Sequence, residues 1–326
     1  MAARGGAVTL TEPMPPEVGG QPIVDGAHKL GAYFAATADM HPRLEDKFGW
    51  LLYAFCGDVS TVADSPEAGL NTHYFRMDSS DYLAMKWSTI RRAIPAPESG
   101  AASGTQCLDA RMASIMLNFP AAARVSARIG ILGRVPTFSD DVSGWSYSAE
   151  PEGPTSVPIT SSTSAYFKLP TFQAANLPTQ LCRVTLGNTV SQPQQEFIVG
   201  SPYPDDLIGL YRSGAIEAAY KWEDEDLYLQ LVANGGTGAS IDWDPTIYES
   251  SFQVKAVSGG DVSGFSNPYS LEVYAQKCYF WPTGAPEIAG VNIIQLPLAG
   301  IICRPDSGDA FQIRLVNEVA SYTWPT

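Results

Sequence analysis

Apolar and polar positions alternate with a period of two through much of the chain, and that period predicts strands. Between 124 and 131, Val125, Ala127, Ile129 and Ile131 alternate with Arg124, Ser126, Arg128 and Gly130. The stretch "CLDARMASIMLNFPAAARVSARIGILGRV" therefore reads as two strands joined by the "NFPAAA" turn. In "QLCRVTLGN", Leu181, Arg183, Thr185 and Gly187 share one face, while Cys182, Val184 and Leu186 share the other. Further strands are expected in "NTHYFRMDSSDYLAMKWSTIRRAI", broken near Asp78 to Ser80, and in "SSFQVKAVSGG", "YSLEVYAQKCYFW", "GVNIIQLPLAGIIC" and "AFQIRLVNEV". Two stretches instead keep helical spacing. In "HPRLEDKFGWLLYAFCG", Leu44, Phe48, Leu51, Leu52 and Phe55 line one face; Pro42 suits a first turn, Glu45 and Asp46 its positive end, and Gly57 the stop. In "WEDEDLYLQLVANGG", Leu227, Leu231 and Val232 keep the spacing until Asn234, Gly235 and Gly236 end it.

Two segments lack either period. Residues 1–27, rich in Pro, Gly and small side chains, read as an N-terminal arm, and residues 136–165, rich in Ser, Thr, Pro and acidic groups, as a linker or insertion. They divide the chain into a first domain at 28–135 and a second at 166–326. The two parts match in order. Each has an acid-led helix, roughly 180 residues apart, then a strand, then a paired-strand unit, which is the pattern of a duplication. The expected fold is thus mainly β: two tandem, similar β-sandwich or barrel domains, each with one flanking α-helix.

Composition adds bounds. The 326 residues are 45% hydrophobic, enough for a sizeable core, and 34 acidic against 20 basic side chains give a formal charge of -14. That balance argues against a surface that grips nucleic-acid phosphates or anionic lipid. No segment has the apolar length of a signal peptide or membrane span, so a protein made and used in solution is expected. Five scattered cysteines, Cys56, Cys107, Cys182, Cys278 and Cys303, read as reduced core residues.

Candidate chemistry is sparse. The run Glu223, Asp224, Glu225, Asp226 lacks the alternating spacing of a calcium loop, and adjacent helical residues point about 100° apart, so it reads as a helix start. His28, His41 and His73 have no metal-ligand spacing, and no nucleophile elbow or phosphate-binding loop occurs; catalytic, metal and cofactor sites are all expected to be absent. Arg91 and Arg92, beside apolar residues, read as basic contacts between subunits. Aromatics such as Trp145, Trp243 and Trp281 leave open a carbohydrate-binding or hydrolysing β-sandwich, for instance of a virion spike.

"HPRLEDKFGWLLYAFCG", the G-T-Q-C-L-D-A-R-M-A-S strand and "ARVSARIGILGR" resemble the tail tube proteins (major tail proteins) of long-tailed, non-contractile phages. So do "GSPYPDDLIGLYRSGAIEAAYKWEDEDLYLQLV" and "YSLEVYAQKCYFW" in the second half. The resemblance covers residues 30 to 320 by element order rather than by an invariant motif. It implies a non-enzymatic virion protein in which strands join side to side between subunits into an inner β-barrel, and rings stack into a tube through which DNA is ejected. A duplicated chain would form a homotrimeric ring with pseudo-sixfold symmetry, with a hexamer as the alternative. Implied partners are further copies of itself, the tail terminator, tape measure and distal tail proteins, and genomic DNA passing without specific binding. The implied location is the virion tail, and the host cytoplasm during assembly. An acidic lumen would let DNA slide; Asp109 and Glu272, carboxylates in otherwise apolar strands, are its candidate lining. The inner tube of a contractile injection apparatus shares this logic and differs in having a sheath.

Overall fold

The structure, a computed structural model, describes residues 2–14, 26–45, 47–77, 85–94, 102–146, 159–160, 165–172, 175–223, 225–233, 245–258, 265–290 and 293–324. Among them every strand belongs to one antiparallel hydrogen-bonded network, accompanied by two short α-helices. The first half contains β1 (Ala2–Met14), β2 (Gly26–Met40), α1 (Lys47–Cys56), β3 (Asp58–Val62), β4 (Asn71–Arg76), β5 (Ser88–Ile94), β6 (Ser103–Pro120), β7 (Ser126–Gly133) and β8 (Pro136–Ser139). After the short β9 (Ile159–Thr160) and β10 (Tyr166–Lys168) come β11 (Thr179–Val190), β12 (Gly209–Lys221), α2 (Asp226–Ala233) and β13 (Tyr248–Ser258). The chain ends with β14 (Ser270–Pro282), β15 (Glu287–Gly290), β16 (Ile293–Ile302) and β17 (Phe311–Asn317).

The alternation read from sequence sets the faces. Ala127, Ile129 and Ile131 of β7 and Cys182, Val184 and Leu186 of β11 are buried, while the intervening residues are not. The network and its apolar core run through both halves and draw no boundary between two domains: β6 pairs with β11, and β17 pairs with β4. Residues 2–14, within the expected arm, form a strand along β2. The ends of the expected linker are also paired, β8 with β6 and β9 with β13, and residues 147–158 and 161–164 lie outside the described residues.

Pairings recur between the halves in matching register. In the first, β1 pairs β2, β2 pairs β7, β7 pairs β6, and β6 also pairs β5 and β8. In the second, β11 pairs β12, β12 pairs β16, β16 pairs β14, and β14 also pairs β13 and β17. Gly5 opposite Ala36, itself opposite Ile131, corresponds to Val184 opposite Ile216, itself opposite Gly300. Even an irregularity recurs: Ser88–Ala110 steps to Ile90–Cys107, as Ser250–Cys278 steps to Phe252–Ala275. Each helix follows the second strand of its set.

The helices sit where the apolar stripes placed them, with one difference. α1 begins at Lys47, so Pro42 and Glu45 precede it. The Leu44 carbonyl, which would open an earlier helical ladder, instead accepts a hydrogen bond from the sequence-distant Asn317 Nδ2 (2.5 Å). Gly57, at φ +88°, ends the helix by donating its N–H to Tyr53 O, a conformation glycine adopts without a Cβ penalty. At α2, Asp226 lies in the first turn and Glu225 O accepts from Leu229 N, as expected of an acidic helix start.

Candidate functional site

Eight strands form an unbroken run across the molecule, in the order β1, β2, β7, β6, β11, β12, β16, β14. Its inner face carries Phe34, Ala38, Ile129, Ile115, Leu117, Val184, Ile216 and Leu298, all buried in the core. The opposite face is open and carries a band of small side chains, Thr37, Gly130, Ser114, Thr185, Gly187, Ser213, Ala215 and Ala299, with larger Met116, Leu181 and Ile301 beside it. These residues are cross-strand neighbours in sequence-distant strands, so a smooth surface follows from register rather than from any one segment. A Cβ at Gly130 would overlap the Ser114 hydroxyl, so even alanine would disturb the packing there.

Two ion pairs lie on this face. Arg128 Nε lies 2.5 Å from Asp39 Oδ1, and Arg183 Nη1 lies 2.9 Å from Glu217 Oε2. The Asp39 carboxylate holds the Arg128 guanidinium above its ordinary pKa. Across the seam between the halves, Arg183 Nε donates to Asn118 Oδ1 at 2.9 Å. The described part of the face is therefore charge-balanced, although the whole chain is acidic.

One end of the face is roofed by the segment between β11 and β12. Ala32 N donates to Pro202 O, Arg111 Nη1 to Leu207 O (2.6 Å), and Arg134 to Asp205 O. Arg111 is buried with its guanidinium 4.0 Å from the Trp87 ring, and that burial lowers its pKa. At the tip of the segment Val199 is fully exposed, beside half-exposed Ile198.

The residues singled out from sequence do not converge. Asp109 lies where β6 leaves the run, half-exposed, 3.3 Å from Arg134 Nη2. Glu272 is 8% exposed, accepting from the Tyr166 hydroxyl (2.9 Å) and lying 3.4 Å from Arg314 Nη1. The Tyr166 phenol is pushed up, first by burial and then by Glu272. Glu272 thus sits in the part of β14 that pairs β13 and β17, away from the open face. Arg91 donates to Gln106 and stacks 5.5 Å from the Trp145 ring; Arg92 Nη1 donates to Gly5 O at 2.8 Å.

His41 Nδ1 is 3.0 Å from Val125 O. His73 is fully buried in a polar node. The His28 side chain, Trp243 and Asp224 lie outside the described residues. No group of three or more metal-ligating side chains occurs among the described residues.

Sequence reasoning missed the seam between β6 and β11, and also the node around Asn317. Its Oδ1 accepts from His73 Nε2 (2.9 Å) and Val319 N (3.0 Å), and its Nδ2 donates to Leu44 O (2.5 Å) and the Tyr322 hydroxyl (2.9 Å). A lone Asn at the end of a strand carries no spacing signal that would have revealed it. Comparison of the chain with protein-family models finds no match, and comparison with curated proteins finds none either.

Proposed function

We propose that this chain is a structural, self-assembling subunit of the tail tube of a long-tailed, non-contractile phage, built as two tandem tail-tube-type domains. The observation that carries the reading is the recurrence of the same five strand pairings in the same register in both halves, with the halves joined edge to edge by β6 and β11. Among the described residues, two equivalent units side by side in one sheet leave an unpaired edge at each end, along β1 and at Trp281 and Pro282 of β14. Such edges are an aggregation hazard unless another strand covers them, and ring closure removes them.

Three copies would close a ring with pseudo-sixfold symmetry. At about 4.8 Å between strands and a tilt of about 40°, three eight-strand runs give a backbone wall roughly 45–50 Å across. The open face then lines the channel. It would pass DNA because its charges are balanced and many of its side chains small, so that no basic groove holds phosphate; its neutrality takes the place of the acidic lining suggested by composition. Tail terminator, tape measure and distal tail proteins are the partners this role calls for, in the virion tail after assembly in the host cytoplasm.

Negative-stain microscopy of the concentrated protein tests the reading. Stacked rings with a central channel are expected, whereas discrete globular particles at every concentration, also in virion-derived material, would overturn it. A surrounding sheath in the virion would assign the same fold to a contractile apparatus.

A further inference from the structure

We infer that the outer edge of β1 in one copy pairs antiparallel with the outer edge of β14 and β15 in a second copy, in a register that sets Arg4 opposite Glu287. This rests on the ring reading and adds a specific seam to it. The template is the seam inside the chain. Gly5 and Arg4 of β1 occupy the places that Val184 and Arg183 occupy in β11, as their partners Ala36 and Thr37 match Ile216 and Glu217. On the other side, Ile115 opposite Ile129 corresponds to Pro282 opposite Leu298, and Asn118 opposite Ser126 corresponds to Glu287 opposite Gln295. Within the chain Leu186 faces Ile115 and Arg183 faces Asn118. Transferred between copies, Ala7 faces Pro282 and Arg4 faces Glu287. The bend after Pro282 absorbs two residues more than the matching stretch of β6.

Beyond the correspondence, one observation supports this and two bound it. Arg92 Nη1 donates to Gly5 O, an acceptor that must exchange this partner when a second copy pairs along β1. Thr283 N donates inward to Pro297 O, which turns the preceding Pro282 outward; lacking an N–H, Pro282 gives the Ala7 carbonyl no donor, so the seam misses one ladder bond at this position. Charge is complementary: Arg4 and Glu287 are both exposed and lie on the open face, where Arg183 already donates to Asn118 within the chain. Replacing the amide by a carboxylate makes the contact between copies an ion pair.

Arg4–Glu287 corresponds to a non-hydrogen-bonded pair, whose Cα separation of about 4.5 Å is within disulfide range. The full-length Arg4→Cys/Glu287→Cys protein, assembled and mildly oxidised, should give covalent dimers and higher closed species on a non-reducing gel. Val8→Cys/Glu287→Cys, four residues out of register, should not. In addition, Arg4→Glu and Glu287→Arg should each reduce ring yield, and the double reversal should restore it. Rings that form without the first cross-link, or with the second instead, would overturn this seam and leave the tube reading standing. Wild-type protein that forms no rings at all would overturn both.

Discussion

Replacing Asn317 by alanine should cost the fold more than any surface substitution. Asn317 is fully buried and uses both acceptor sites and both donor hydrogens, two of each, on partners drawn from both halves of the chain. Its orientation is fixed, because Nδ2 meets a backbone carbonyl and Oδ1 meets a backbone N–H. It follows that His73 carries its proton on Nε2 and accepts at Nδ1 from the Thr61 hydroxyl, 2.9 Å away. Asn317→Ala strands the His73 N–H and the Leu44 carbonyl in places water does not reach, at about 1–3 kcal/mol each, and removes the bond to Val319, worth about 1.

The expected loss is about 3–7 kcal/mol, a large share of the 5–15 kcal/mol typical of folded domains. Urea unfolding followed by tryptophan fluorescence should show the midpoint fall at unchanged slope. A loss below about 1 kcal/mol would refute the argument, since it would mean that the stranded groups find other partners. Asn317→Asp adds a sign test. A carboxylate beside His73 favours the imidazolium, so this variant should raise the His73 pKa while losing the donation to Leu44.

Three further outcomes are expected. Burial lowers the His73 pKa below its ordinary value, with the Asn317 and Val319 hydrogen bonds partly opposing. The folded chain then binds fewer protons than the unfolded chain, so the His73 contribution is full above about pH 6.5 and is lost as pH falls below it; an imidazole seen by NMR to titrate at or above its ordinary pKa would contradict this. Gly49→Ala should destabilise by about 1–3 kcal/mol although alanine favours helices by about 1, because a methyl there would overlap the Tyr322 ring packed on α1; a raised melting temperature would refute it. Cys56, Cys107, Cys182 and Cys278 are buried, with the Cys56 thiol pushed up to about 12 by burial, whereas Cys303 is half-exposed. A thiol reagent should modify Cys303 quickly in the native protein and the other four only on unfolding, and rapid native modification of Cys182 would count against the packing.

What could be read from the chain was whatever repeats locally. Period-two alternation located β7 and β11 and assigned their faces, because burial on one side leaves an imprint on every second residue. The apolar stripes located both helices. The start of α1 was misplaced because a residue 273 positions away, Asn317, takes the Leu44 carbonyl, and no local pattern records that. The surroundings of the carboxylates singled out were hidden for a similar reason. Glu272 sits in an apolar strand because it is buried against Tyr166 and Arg314, so a carboxylate among hydrophobics marked a satisfied interior group rather than a surface. The open face was hidden because its smoothness is distributed over eight strands, each giving a few small residues that look unremarkable in sequence.

The seam between β6 and β11 has a kinetic meaning on the tube reading. It closes within one molecule, at an effective concentration fixed by the chain and independent of how much protein is present. In a ring of such chains only every other seam must form by collision, and that seam alone has a carboxylate where the internal one has Asn118. Dilution, ionic strength and acid would therefore act on half of the junctions and leave the rest intact. A disassembling tube would shed pre-joined pairs of domains, and the smallest particle in solution would already hold one finished joint.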